Sequence, residues 1–197
     1  HDAAKLDIVR DSRAELPMPN DPLTSHPGGA QTPTMTNERT FDTRIDLRAD
    51  ARRPLIDLLN QQLADTFDLF SQAKQAHWNV KGAQFSQLHE LFDRLASELT
   101  GFADIIAERV TALGGLALGT VRMAAQRSRL SECDVQAVDG MATVDALATR
   151  FAALAASTRT AIQTADERGD AATADLLTEF SRALDKSLWF LEAHHQR

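Results

Sequence analysis

His89, Asp93, Asp104 and Glu108 place four potential metal ligands within twenty residues of one another. His89–Asp93 and Asp104–Glu108 are each spaced four apart, so on a helix the members of each pair share a face. With His89 set to zero on a helical wheel, Asp93 falls at about 40°, Asp104 at about 60° and Glu108 at about 100°. The apolar residues of the same stretch, Leu88, Phe92, Leu95, Leu99, Phe102, Ile106, Val110 and Leu113, centre at about −100°. The ligand-type residues therefore form a stripe of their own, turned away from the core of their own chain.

The two pairs cannot hold one ion within one chain. Asp93 and Asp104 lie roughly 16 Å apart along a helix axis, whereas metal–oxygen bonds are about 2 Å long. Each pair is half a site. The positions are symmetric about the Glu98–Leu99 bond, so an antiparallel copy of this helix sets His89 against Glu108 and Asp93 against Asp104. A two-fold axis there generates two equivalent sites, each built from two chains. Ala96, Thr100, Ala103 and Ala107 are the small residues expected on the facing surface. His77, just before the turn into this helix, is placed to stand beside His89, completing two imidazoles and three carboxylates. That hard, mixed set suits iron, with zinc or manganese as competitors. Carboxylate sites of this kind with vacant positions reduce dioxygen or peroxide, and Trp78 is placed to pack against the site or to donate an electron. Salt bridges across a dimer interface use the same residue types, and spacing alone leaves that alternative open.

These residues need long helices to position them. After Pro54 prolines vanish and apolar residues recur at helical spacing. The pattern predicts helices over about 51–79, 86–113, 143–168 and 171–194, with a short one near 122–128 in the long connection. Pro54 falls in the first turn, Gly114-Gly115 and Gly169 act as stops, and Asp170 is an N-cap. Leu55, Leu58, Leu59, Leu63, Phe67 and Phe70 are the expected core face of the first helix. A short first turn, a long second connection and four helices make an all-α, ferritin-like four-helix bundle with one crossover.

Composition narrows the functions. The chain has 197 residues, 43% of them hydrophobic, and a net charge of −7, which argues against a surface devoted to gripping nucleic acid. Its single cysteine, Cys133, excludes an intramolecular disulfide and a thiolate zinc cluster within one chain. No uninterrupted apolar run reaches the roughly 18 residues of a membrane span. Five of the six prolines lie within the first 33 residues, so residues 1–45 are expected to form an extended or disordered tail, and 46–197 the bundle.

The run KQAHWNVKGAQFSQLHELFD, from Lys74 to Asp93, with DIIAERVTALGGLALGT, from Asp104 to Thr120, and LDKSLWFLEAH, from Leu184 to His194, resembles the Dps family of mini-ferritins. The likeness covers about residues 46–195. It implies a hollow homododecamer that oxidises ferrous iron, preferably with hydrogen peroxide rather than dioxygen, and stores ferric mineral inside. The family's inter-subunit ferroxidase site maps onto His77, His89 and Asp93 of one subunit with Asp104 and Glu108 of its two-fold mate. The family's acidic iron-entry pore maps onto Asp170, Asp175 and Glu179, although acids at a helix start are also favoured by the helix dipole. Larger ferritins instead use two Glu-x-x-His motifs inside one bundle. Here the motif occurs at Glu192–His195 alone, where it and His194 form either an accessory metal site or plain surface.

The resemblance also implies protection of DNA, directly or through consumption of iron and peroxide. Direct binding in such proteins usually relies on lysine-rich tails. Here residues 1–53 carry eight basic and nine acidic residues, and the first 45 hold one lysine. Scattered arginines leave DNA binding through the tail open, and the other expectations are that it reaches a neighbour, binds a metal through His1, Asp2 or His26, or does nothing. An architectural nucleoid protein with little ferroxidase activity is the competing function. The implied address is the cytoplasm, in association with the nucleoid. Because the chain starts at His1 rather than Met, export after removal of a leader is the alternative.

Overall fold

The computed structural model describes residues 39–196. The tail expected over 1–45 lies, as far as residue 38, outside the described residues, as do His1, Asp2 and His26. Five helices follow in order: α1 (Ala49–Asn79), α2 (Phe85–Ala112), α3 (Val121–Arg127), α4 (Gly140–Glu167) and α5 (Ala171–Glu192). Among the described residues there is no strand, only an isolated bridge between Lys81 and Asp139. No helix of these residues is long and apolar enough to cross a membrane.

The helix ends follow local chemistry. Asp139 accepts from Met141 and Ala142 N–H and starts α4 three residues earlier than expected, while Asp170 caps α5 through Thr173 N–H. Because α1 already begins at Ala49, Pro54 lies in its second turn, where the ring forfeits a bond to the Asp50 carbonyl. α2 ends at Ala112, and Gly114, just past its C-cap Leu113, has φ +86. A Cβ there would stand 2.3 Å from the Phe41 carbonyl oxygen, and Phe41 N–H donates to Gly114 O at 2.7 Å. From Phe41 onward the chain is thus on the bundle, where Ile45 and Leu47 pack against the core.

α1 packs chiefly on α2 and α4 chiefly on α5. Phe92, Phe151 and Phe180, one from each of α2, α4 and α5, are fully buried between them. Each contributes about 1.5–3 kcal/mol by leaving water. The expected core face of α1 needs correction. Leu55, Leu59 and Leu63 are buried, but Leu58, Phe67 and Phe70 are only half-buried, whereas Ile56 and Leu69 join the core. The reason is that α1 is covered on two sides, by the bundle and by the crossover that carries α3.

The crossover is held by polar side chains of α1. Asn60 donates to Leu116 O at 3.0 Å and accepts from Leu118 N–H at 2.8 Å. Gln61 donates to Arg127 O, and Asp65 accepts from both the backbone and the guanidinium of Arg129. Gln72 donates to Ser131 O, and from the α4 side Arg150 donates to Ser131 O as well. Asn60, Asp65 and Gln72 are buried, so their hydrogen bonds are needed to offset desolvation. Asn60→Ala removes the acceptor of the Leu118 N–H and is expected to cost about 1–3 kcal/mol. Faster hydrogen exchange at the Leu118 amide, with slower change in α4 and α5, is the checking measurement.

Candidate metal centre

α1 ends at Asn79, and a turn through Gly82 (φ +110) reverses the chain into α2. That reversal sets His77 against His89. His77 Nδ1 lies 2.8 Å from the His89 carbonyl oxygen, and His89 Nδ1 lies 2.8 Å from the His77 carbonyl oxygen. The rings stack with centroids 3.8 Å apart and planes 23° from parallel. A carbonyl only accepts, so in both rings Nδ1 carries a hydrogen, and in the neutral form of each ring the lone pair is the one on Nε2. Each histidine is therefore fixed in tautomer and orientation by the other's backbone, the arrangement that imidazole metal ligands require.

Asp93 completes this end. Its Oδ1 is 3.9 Å from His77 Nε2, and Lys74 Nζ donates to the same oxygen at 2.6 Å. The hydrogen bond from Lys74 is the main reason that the Asp93 carboxyl is held below its ordinary value, outweighing the opposing cost of burial, with the positive charge of Lys74 adding to it. His77 is 13% exposed and Asp93 56% exposed, so the candidate ligand atoms lie at the rim of a surface, not in a closed cavity. Trp78, 62% exposed, stands beside them with Lys74 Nζ 5.7 Å from its ring centre.

Asp104 and Glu108 are exposed farther along α2, and no described side chain engages either carboxylate. Within one chain no three of the described His, Cys, Asp or Glu residues are grouped to hold a metal ion. The surface between the two groups also differs from expectation. Ala96 and Ala103 are buried in their own chain, because α1 and α5 flank α2 and widen its inward face. The outward face carries Ser97, Thr100, Gly101 and Ile105 with Asp104 and Glu108. Gly101 has open space where a Cβ would stand.

The three pore candidates separate. Asp175 and Glu179 are exposed one turn apart on α5. Asp170 is 3% exposed and accepts from Arg109 Nη2 with both oxygens, at 2.7 and 2.9 Å, and from Thr173. Burial alone pushes its carboxyl up, but the bonds from Arg109 and Thr173 outweigh burial and leave it below its ordinary value. Asp170 caps α5 and ties that helix to α2, and its oxygens are already taken. At the chain end, Glu192, His194 and His195 are exposed, and His194 Nδ1 bonds to the Phe190 carbonyl at 2.8 Å.

Two functional partners went unread in the sequence, Lys74 and Arg109. A signal existed for the second, since an arginine next to Val110 and one turn from Ile106 borders the apolar stripe and needs a carboxylate. Nothing marked which one.

Residues 56–197 match the family model of the ferritin-like domain. The DNA protection during starvation protein of Agrobacterium fabrum is 44% identical over 158 residues, covering 80% of this chain and 98% of that protein. The protein of the same name from Brevibacillus brevis is 35% identical, over 69% of this chain and 91% of its own. Among solved structures, DpsC from Streptomyces coelicolor superposes with a TM-score of 0.77 at 31% identity, covering 81% of this chain and 93% of that one. Dps from Mycobacterium smegmatis gives 0.75 at 30%, over 79% and 93%. With a ferritin-like match over most of its length and near-complete coverage of such relatives, the chain belongs to the Dps family of ferritin-like proteins.

Proposed function

We propose that this protein is a ferroxidase and iron store whose sites are shared between two copies of the chain. The observation that carries the reading is the histidine pair, His77 on α1 and His89 on α2, each ring held by the other's backbone carbonyl with His77 Nε2 beside Asp93, while the helix of His89 and Asp93 also carries an unengaged carboxylate pair. Ferrous iron is the substrate. It is held only where His77, His89 and Asp93 of one chain meet Asp104 and Glu108 of the two-fold mate, whose carboxylates complete the ligand set and offset the rise in charge from ferrous to ferric. Two ferrous ions each give one electron to hydrogen peroxide, the preferred oxidant. The O–O bond breaks, and two protons complete two waters. Until a cation arrives, Lys74 neutralises Asp93.

The shell is a homododecamer, and ferric product is stored inside it. Asp175 and Glu179 repeat around an entry pore, where rings of carboxylates focus a potential that draws cations. Asp170 has no part in that pore. Asp175→Asn/Glu179→Gln is expected to slow ferrous uptake several-fold at low salt, with the gap to wild type closing as salt rises. Stopped-flow traces at two ionic strengths check it. DNA protection follows from joint removal of ferrous iron and peroxide.

The test of the reaction is ferric absorbance after ferrous iron and peroxide are added to purified protein. The wild type is expected to outpace His77→Ala/Asp93→Ala by at least about 100-fold. Equal rates would end the enzymatic reading.

A further inference from the structure

A cavity of about 180 Å³ lies between the segment that leads into the bundle and the first turns of α1, walled by Thr40, Ala49, Arg52, Arg53, Ile56 and Leu113. Its polar groups are cationic or hydroxylic. Residues 39–53 carry five arginines against three aspartates, in a chain whose net charge is −7. Of these, Asp50 is already taken by Arg48. The ion pairs of the described arginines use Arg48, Arg109, Arg129 and Arg159, leaving Arg52 and Arg53 without a carboxylate. Asp57, one turn beyond Arg53, forms no pair with it.

Arg52 has a structural task, since Nη1 reaches the Leu113 carbonyl at 3.3 Å, at the negative end of α2. That task does not account for the rest of the group. Arg52 Nε is buried without a hydrogen-bond partner and is shut off from the cavity, so Arg52 offers a ligand there only its terminal nitrogens. Arg53 is exposed at the mouth and engages no described side chain. Two guanidiniums and a hydroxyl at the rim of a cavity with room for several waters match a tetrahedral oxyanion, which guanidinium groups bind through paired N–H donors.

We propose that this cavity binds a single phosphate group, held by Arg52, Arg53 and the Thr40 hydroxyl. A free phosphate ion and a phosphodiester of nucleic acid present the same chemistry. The test titrates inorganic phosphate into the full-length assembled protein by calorimetry, with Arg53→Gln and Thr40→Val as variants. Arg52 is left intact because of its contact with Leu113. Saturable binding of one phosphate per chain is expected, weakened by about ten-fold or more in Arg53→Gln. A parallel titration with a short DNA duplex at two salt concentrations separates the sources. If nucleic acid is the source, Arg53→Gln also lowers the salt slope by about one; if free phosphate is, the slope stays unchanged while phosphate affinity falls. Phosphate binding that does not saturate, or that neither variant weakens, overturns the proposal.

Discussion

Two variants that are each inactive are expected to regain activity when their subunits are assembled together. His77→Ala/Asp93→Ala removes ligands from one half-site, and Asp104→Asn/Glu108→Gln removes them from the other. In a dimer of the two variants, one site pairs both damaged halves and the other pairs both intact halves. Random assembly makes half of the dimers mixed, so about one quarter of all sites are complete. Ferric absorbance after a 1:1 mixture is unfolded and reassembled, or co-expressed, is expected to recover to about a quarter of the wild-type rate. No site confined to a single chain predicts any recovery. A mixture as inactive as its parents therefore removes the shared geometry even if the wild type oxidises iron. The expectation rests on the wide separation of Asp93 from Asp104 along α2, about 16 Å, and on the absence of a third ligand near Asp104 and Glu108 among the described residues.

Asp170→Asn is expected to be the most damaging single change outside the metal ligands, at about 3 kcal/mol. Asparagine still caps a helix well, so the loss comes mainly from leaving the Arg109 guanidinium, 16% exposed, without its carboxylate. Arg109→Met/Asp170→Asn should recover part of the loss, since removing both charges avoids the unpaired one. Denaturant unfolding at fixed protein concentration measures both, because assembly makes stability concentration-dependent. The wild type carries the matching pH dependence. The folded carboxyl of Asp170 sits below its ordinary value, so its contribution is complete above about pH 4 and is lost as pH falls through the folded value. The variant should lack that part of the acid transition.

The sequence was most informative where periodicity and chemistry coincide. The order and type of the five helices, the stop at Gly114, the Asp170 cap and the placement of His77 beside His89 all follow from spacing along one chain. What it hid are contacts made across long separations. Asn60, Asp65 and Gln72 read as ordinary polar positions on an amphipathic helix, yet they are buried because the crossover returns over them. The same return explains why Phe67 and Phe70 stop at half burial, packing edge to face on each other at 5.6 Å. Ala96 and Ala103 were placed on the wrong face of α2, since a wheel shows direction but not how many neighbours flank the helix. The mutual hydrogen bonds of His77 and His89 involve backbone carbonyls, which residue identity does not reveal.

The staples along α1 also constrain how such a chain can vary. Asn60, Gln61, Asp65 and Gln72 fix the crossover, and His77 follows little more than one turn later on the same rigid rod. One residue inserted between Gln72 and His77 would rotate the imidazole by about 100° and shift it by about 1.5 Å relative to the crossover. Gains and losses of residues are thus confined to the turns, such as that at Gly82, and to the approach to α1. Helix α1 behaves as a measuring rod whose graduations are side chains, and its length sets the place of His77 relative to the crossover.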